Sequence, residues 1–248
     1  VMKIGGGIED VVAVTKTLNE SFGIGLGLAS QQAREMVELA KGTGISNEES
    51  AKLTGILQRN LGLSKEQRKN FIDVTKNLAV QRGQNPARVF QQMANASIEL
   101  QSATGFSAEN LRDAAINATD AGIELSSIAS MQEGLLNLQT TFADEILLNI
   151  MLQQAGIENI NLAEARRLAA LGKQGELLQE AQRIIKGITN TQAFKDLVPA
   201  NQDAILKKVA KNLQLNLKQV NDLRFGQNLT RDAAAEMSKE MQQIKLSP

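Results

Sequence analysis

Ile160 to Gln182 reads INLAEARRLAALGKQGELLQEAQ. An alanine-rich helix, a glycine stop and a second helix follow one another within this one stretch. None of its side chains is an obvious nucleophile or metal ligand. The stretch is either ordinary helix packing or part of a protein whose work is mechanical rather than chemical.

The same pattern extends outward in both directions. Phe71, Val74 and Leu78 lie three or four residues apart, as do Phe90, Met93, Ala96 and Leu100. Leu125, Ile128, Met131 and Leu135 continue it, and so do Ile205, Val209 and Leu213. Strand-like alternation is nearly missing. The stops are as regular in kind as the helices. Gly44-Ile45-Ser46 is followed by Glu49, Gly62-Leu63-Ser64 by Gln67, and Gly105-Phe106-Ser107 by Glu109 and Leu111. At each stop a glycine can end one helix in the left-handed region, an apolar residue plugs the corner, and a serine caps the next helix. Glu49 and Gln67 sit where a capping box requires them. Asn85-Pro86 is a further start, with Asn as the cap and Pro in the first turn.

These signals predict an all-α fold, a multi-helix array of about ten to twelve short helices joined by capped turns. One uninterrupted helix of 248 residues would run roughly 370 Å, which the glycines forbid. The stops are irregularly spaced, so no fixed-period solenoid is expected. Four regions are expected: a glycine-rich helical segment over 1–43, a helical region over 44–121, a second over 122–228, and a C-terminal helix or tail over 229–248.

Leu213-Gln214-Leu215-Asn216 is the one place where alternation invites a strand. Leu213 completes the face begun by Ile205 and Val209, while Leu217, Val220 and Leu223 begin another. The stretch is therefore read as a helix–turn–helix junction. Gln214 ends the first helix in the left-handed region, Leu215 plugs the corner and Asn216 caps the next helix.

Composition narrows the chemistry. The chain is 42% hydrophobic and 22% charged, which suits a folded chain. It holds neither Cys nor His, so thiolate and imidazole chemistry and the usual zinc, copper and haem ligands are excluded. The redox compartment is not readable without cysteine. The adjacent acids Glu48 with Glu49 and Asp144 with Glu145 are candidate carboxylate pairs. Neighbours on a helix point about 100° apart, so neither pair converges on one substrate. Gly23, Gly25 and Gly27 give GxGxG rather than a dinucleotide fingerprint, and neither a preceding strand nor a following Lys-Ser/Thr accompanies them. They suit a joint or close helix packing. No catalytic, cofactor-binding or metal residue is predicted, and the chain is expected not to be an enzyme.

Formal net charge is zero but unevenly spread. Arg112 is the one base between Glu99 and Glu145, whereas Asp222 is the one acid between Lys207 and Arg231. Two solvated faces account for this, or docking against opposite charge. Lys207, Lys208, Lys211, Lys218, Arg224 and Arg231 form a modest basic stripe with Phe225 alone beside it, a weak signal for nucleic acid. No apolar run is long enough to span a membrane, and no signal peptide is visible. The chain opens Val1-Met2, which fits an internal fragment or a start whose first residues are missing.

Thr141 to Gly156, TFADEILLNIMLQQAG, is the most apolar segment. Ile146, Leu147, Leu148, Ile150, Met151 and Leu152 cover most of a helix circumference. Such a helix is either the centre of its own domain's core or part of a core completed by another subunit.

With these elements placed, Gly122 to Leu223 resembles a segment that recurs in tail tape-measure proteins of large tailed bacteriophages. The features that carry the resemblance are Leu135-Leu136-Asn137 before a hydrophobic helix, Asn161-Leu162 with Ala165-Arg166, and the Ala170-Leu171-Gly172 stop. Glu176 and Glu180 on an acidic helix, Phe194, and a helix–turn–helix over Ala204 to Leu223 complete it. Gln139 and Lys173 stand where the family often has acids, and Gln214 where it has glycine. The resemblance implies a virion structural protein of the tail, assembled in the host cytoplasm. It would act in tail assembly, length determination and genome delivery. The implied partners are further copies in a small symmetric oligomer and the tail-tube or hub and baseplate proteins. Packaged DNA would be near but not specifically bound. The competing reading is a non-catalytic helical interaction domain of a non-viral protein. No 34-residue tetratricopeptide period supports a repeat form of it.

Overall fold

The computed structural model describes residues 12, 14–17, 19–20, 26–95 and 107–225. Ala96, Leu100, Gly105, Phe106, Arg231, most of the N-terminal glycines and the expected tail over 229–248 lie outside these residues. Every regular element among the described residues is helical, and none is a strand. The all-α expectation is met. Two compact units divide the chain between Gln101 and Ser102.

In the first unit α1 spans Leu26–Thr43, α2 Asn47–Gly55, α3 Lys65–Gln81 and α4 Pro86–Asn95. Gly27 therefore lies inside a helix. The corner between α1 and α2 follows the sequence reading residue by residue. Gly44 has φ 78°, its N–H donates to the Ala40 carbonyl at 2.8 Å, and Ile45 is buried. Ser46 and Glu49 form a reciprocal capping box, with Glu49 N–H on the Ser46 hydroxyl at 3.1 Å and Ser46 N–H on the Glu49 carboxylate at 2.8 Å. Ser64 and Gln67 repeat it at the head of α3, and the Ala87 N–H donates to Asn85 Oδ1 at 3.0 Å within the first turn of α4.

Two details depart from the periodic reading. After Gly55 the chain continues in a π-helical turn, Ile56–Asn60, which buries Ile56 and Leu57. The buried face of α3 is Phe71, Ile72, Thr75 and Ala79, so Val74 and Leu78 are only half-buried. One core cluster of this unit joins Val14 to Ala33, Met36 and Val37 of α1 and Ala51 of α2. The buried Ser50 hydroxyl donates to the Met36 carbonyl at 2.7 Å, so its burial is matched by a hydrogen bond.

The second unit holds α5 (Ala108–Ala121), α6 (Leu125–Leu136), α7 (Leu138–Gln154), α8 (Ala163–Ala170) and α9 (Gln174–Thr189). A single turn, α10 (Gln192–Lys195), α11 (Pro199–Asn212) and α12 over 217–225 follow. Within this unit α5 packs along α9. Their approach is close at Gly175, where an added β-carbon would sit 2.9 Å from Asn117 Nδ2 and 3.2 Å from the Asp113 backbone carbon. Asn117 and Asn110 seal it by donating to the carbonyls of Gly175 and Gly172, each at 3.2 Å.

Gly172 is the stop of the opening stretch, at φ 67° between α8 and α9. Leu125, Ile128, Met131 and Leu135 of α6 are all fully buried, as the spacing predicts. Among them lies a buried amide pair that periodicity does not reveal. Gln174 donates to Gln132 at 3.0 Å, and Gln132 donates to the Ala169 carbonyl at 2.9 Å, linking α6, α8 and α9.

The junction after α11 is a helix–turn–helix. Gln214 has φ 52°, alone in positive φ among the described non-glycine residues. Leu215 is buried and its N–H donates to the Ala210 carbonyl at 2.9 Å. Asn216 accepts from the Gln219 N–H at 2.9 Å, while Gln219 accepts from the Asn216 N–H at 2.7 Å. This is the glycine-type corner built with a residue that bears a β-carbon.

Candidate protein-protein interface

The feature of the second unit that most needs explanation is α7. Its inner side is firmly anchored. Leu148 and Leu152 are fully buried, and α7 packs mainly on α11. Asp144 is paired with Lys211 at 2.9 Å, and Asn212 Nδ2 donates to the Asp144 carbonyl at 3.1 Å. On the next flank Glu145 pairs with Arg166 and accepts the Leu162 N–H at 3.0 Å. Asn149 and Ile160 exchange two hydrogen bonds, at 2.8 and 3.0 Å, which ties down the chain after α7. After the helix the chain turns at Gly156, φ 71°, with Ile157 buried in the corner.

The outer side is apolar and open. Phe142, Ile146, Leu147 and Ile150 are 52%, 60%, 48% and 45% exposed, with Ala143 exposed among them. At 100° per residue these five positions occupy one arc of about 140°. That arc carries no charged residue. A helix on the surface of a soluble domain normally turns a charged or polar face to water. Placing this helix at the centre of its own core is therefore corrected. Leu148 and Leu152 serve that core, Met151 is half-buried, and Phe142, Ile146, Leu147 and Ile150 face outward.

Phe142 is held rather than loose. The Arg166 guanidinium lies 4.4 Å from its ring centroid, and the Glu145 carboxylate fixes that guanidinium. Arg166 belongs to the Ala165-Arg166 pair noted in the sequence, so one motif side chain braces the first residue of the open face.

The candidate acids do not converge. Asp144 and Glu145 leave α7 toward different helices, Lys211 on α11 and Arg166 on α8. Glu48 pairs with Lys52 at 2.7 Å along α2, while Glu49 closes its cap. The basic stripe is largely engaged within the chain. Lys207 pairs with Asp203, Lys218 with Asp222 and Lys211 with Asp144. The Arg224 guanidinium lies 5.3 Å from the Phe194 ring and 4.7 Å from Phe225. The Asp144–Lys211 bridge thus joins the acid-rich region to the base-rich one inside a single unit.

Asn137, Gly134, Ala143, Asp144, Lys211 and Gln214 line a shallow cleft at the N-terminal end of α7. Its two charges neutralise each other, which leaves it little electrostatic pull on a ligand. No described helix is long and apolar enough to cross a membrane. Comparison with protein-family models, curated proteins and solved structures finds no match.

Proposed function

We propose that this chain is a structural component of a bacteriophage tail, of the tape-measure type, that works by association with copies of itself and with tail proteins. The observation that carries the reading is the charge-free, exposed face of α7, inside the segment whose motifs resemble the tape-measure family. A face of this kind disfavours an isolated state in water and favours assembly. The motif residues support the reading by having defined work. Phe194 is fully buried, Arg166 braces Phe142, and Gly172 makes the stop between α8 and α9.

Helix length bears on the place in the tail. The longest described helix, α1, has 18 residues, about 27 Å at 1.5 Å per residue. That suits a folded portion near a tail end and not the measuring rod itself. Short helices joined by short turns also suit stepwise local unfolding during expulsion through a tube.

Mass spectrometry of purified tails, with antibody labelling in negative stain, tests the reading. The expected result is the chain in the particle, with label at one end of the tail. Absence from particles, together with abundance in uninfected cells, would overturn it in favour of a non-viral interaction domain.

A further inference from the structure

We infer that α7 and α11 form one detachable pair, which opens from the second unit as a cooperative piece while α5, α6, α8 and α9 stay folded. The inference rests on packing alone and does not depend on the tail reading.

The second unit is unevenly built. α9 buries ten of its 16 residues and α6 seven of its 12. α9 packs on α5, α6 and α8, and α6 packs on α8. Two features join these four helices further, the close approach of α5 and α9 at Gly175 and the buried Gln132–Gln174 pair that ends on the Ala169 carbonyl. α7 differs. Among its described residues it buries only Asp144, Leu148 and Leu152, and its main helix partner is α11, which in turn packs mainly on α7. Lys211 and Asn212 of α11 both hold Asp144, so these polar contacts stay inside the pair.

What ties the pair to the rest is polar. Asn149 exchanges hydrogen bonds with Ile160, and Gln202 of α11 donates to the Phe194 and Leu197 carbonyls at 3.1 and 3.0 Å. Water replaces such bonds on opening, so each holds the pair only modestly. Glu145 and Arg166 are nearly buried, yet opening returns both charges to water together, which offsets much of their attraction. The edges of the pair fall at two corners that line the same cleft, Asn137 before α7 and Gln214 after α11. The Asn137 side chain does not cap α7, and Gln214 stands in the left-handed region. Beyond Gln214 the chain is fixed to the four helices again, by Gln219 donating to Ser127 and Gln182 donating to the Leu223 carbonyl. A piece with few buried apolar contacts opens below the free energy of global unfolding. Opening bares Leu148 and Leu152 with Ile205, Leu206 and Val209 of α11, apolar surface that the closed unit hides.

Native-state hydrogen exchange of the full chain tests the inference. Amides 148–152 of α7 and 205–210 of α11 should share one level of protection, about tenfold or more below that of 114–118 in α5 and 177–185 in α9. Two conservative variants at buried positions separate a detachable pair from a single cooperative unit. Ile205→Val in α11 should lower protection throughout the unit by about fivefold, because the partial and the global opening both lose its contacts. Ile185→Val in α9 should lower protection in α5 and α9 by a similar factor and leave α7 and α11 unchanged, because its contacts persist when the pair opens. Equal protection across the unit overturns the inference, as does unlike protection of α7 and α11. Loss of protection in α7 and α11 on Ile185→Val overturns it too. None of these results bears on whether the chain is found in tails.

Discussion

Gly134 of α6 lies directly against the side chain of Gln214 at the end of α11. A β-carbon added at Gly134 would overlap Gln214 Cγ and lie 2.8 Å from its Cδ and 2.9 Å from its Cβ. Gln214 is the same residue that ends its helix at φ 52°. The two oddities, a glycine inside a helix and a glutamine in the left-handed region, are therefore one contact.

Their coupling gives a reversal of sign. Gly134→Ala should destabilise the protein, because overpacking costs about 1–3 kcal/mol against about 1 kcal/mol gained in helix propensity. Gln214→Gly should be neutral or stabilising, since it relieves about 1–2 kcal/mol of left-handed strain. In the Gln214→Gly background, Gly134→Ala should become neutral or stabilising. Urea unfolding of the four variants measures the cycle. Additive effects would mean that the contact carries no energy.

Asn216→Ala should cost about 1 kcal/mol by removing the acceptor for the Gln219 N–H at the head of α12. Asn216→Ser should recover most of it, since a serine hydroxyl accepts the same N–H. Melting temperatures of both variants check this, and equal losses would assign the effect to something other than capping.

Arg166→Ala should be among the more costly surface-proximal substitutions, about 3 kcal/mol. The Glu145 and Arg166 side chains are each only 12% exposed, so the carboxylate loses its counter-charge where water reaches it poorly. The Leu162 N–H, still donating to Glu145, holds the cost toward the lower end of the range. Glu145→Gln combined with Arg166→Met should be milder than Arg166→Ala alone. Chemical denaturation of the three proteins decides it.

Glu48 gives a pH-dependent contribution. Its carboxyl is held below the ordinary value of 4.5, first by the hydrogen bond from Lys52 and then by that ammonium's charge. A folded value below the unfolded one means stability present above pH 4.5 and lost as pH falls through the folded value. The melting-temperature difference between wild type and Glu48→Gln should therefore be positive at neutral pH and vanish on acidification. The pair is exposed, so high salt should shrink the difference at neutral pH.

The corners of this protein are written in its sequence. Gly44-Ile45-Ser46-Glu49, Ser64-Gln67 and Asn85-Pro86 take the conformations their residue types favour, and at Gln214-Leu215-Asn216 the plug and the cap do so while Gln214 stands in the left-handed region against its own preference. Each is settled by hydrogen bonds spanning five residues or fewer, so local chemistry suffices. The helical period is local in the same sense. The π-turn at Ile56–Asn60 is local too, yet no residue type in ILQRN announces it.

Long-range packing decided the rest. Periodicity placed six apolar residues around α7 but could not say which would be covered. That depended on α11 lying against Leu148 and Leu152, which leaves Ile146 and Ile150 outside. The partners of Asp144 and Glu145, 67 and 21 residues away, are equally beyond local reach. So is the reason for Gly134, whose neighbour Gln214 is brought close only when α6 and α11 meet. Sequence fixes what a helix can bury and where it must stop. Which face is buried, and which remains open for another molecule, is set by elements distant in the chain that arrive only with the tertiary fold.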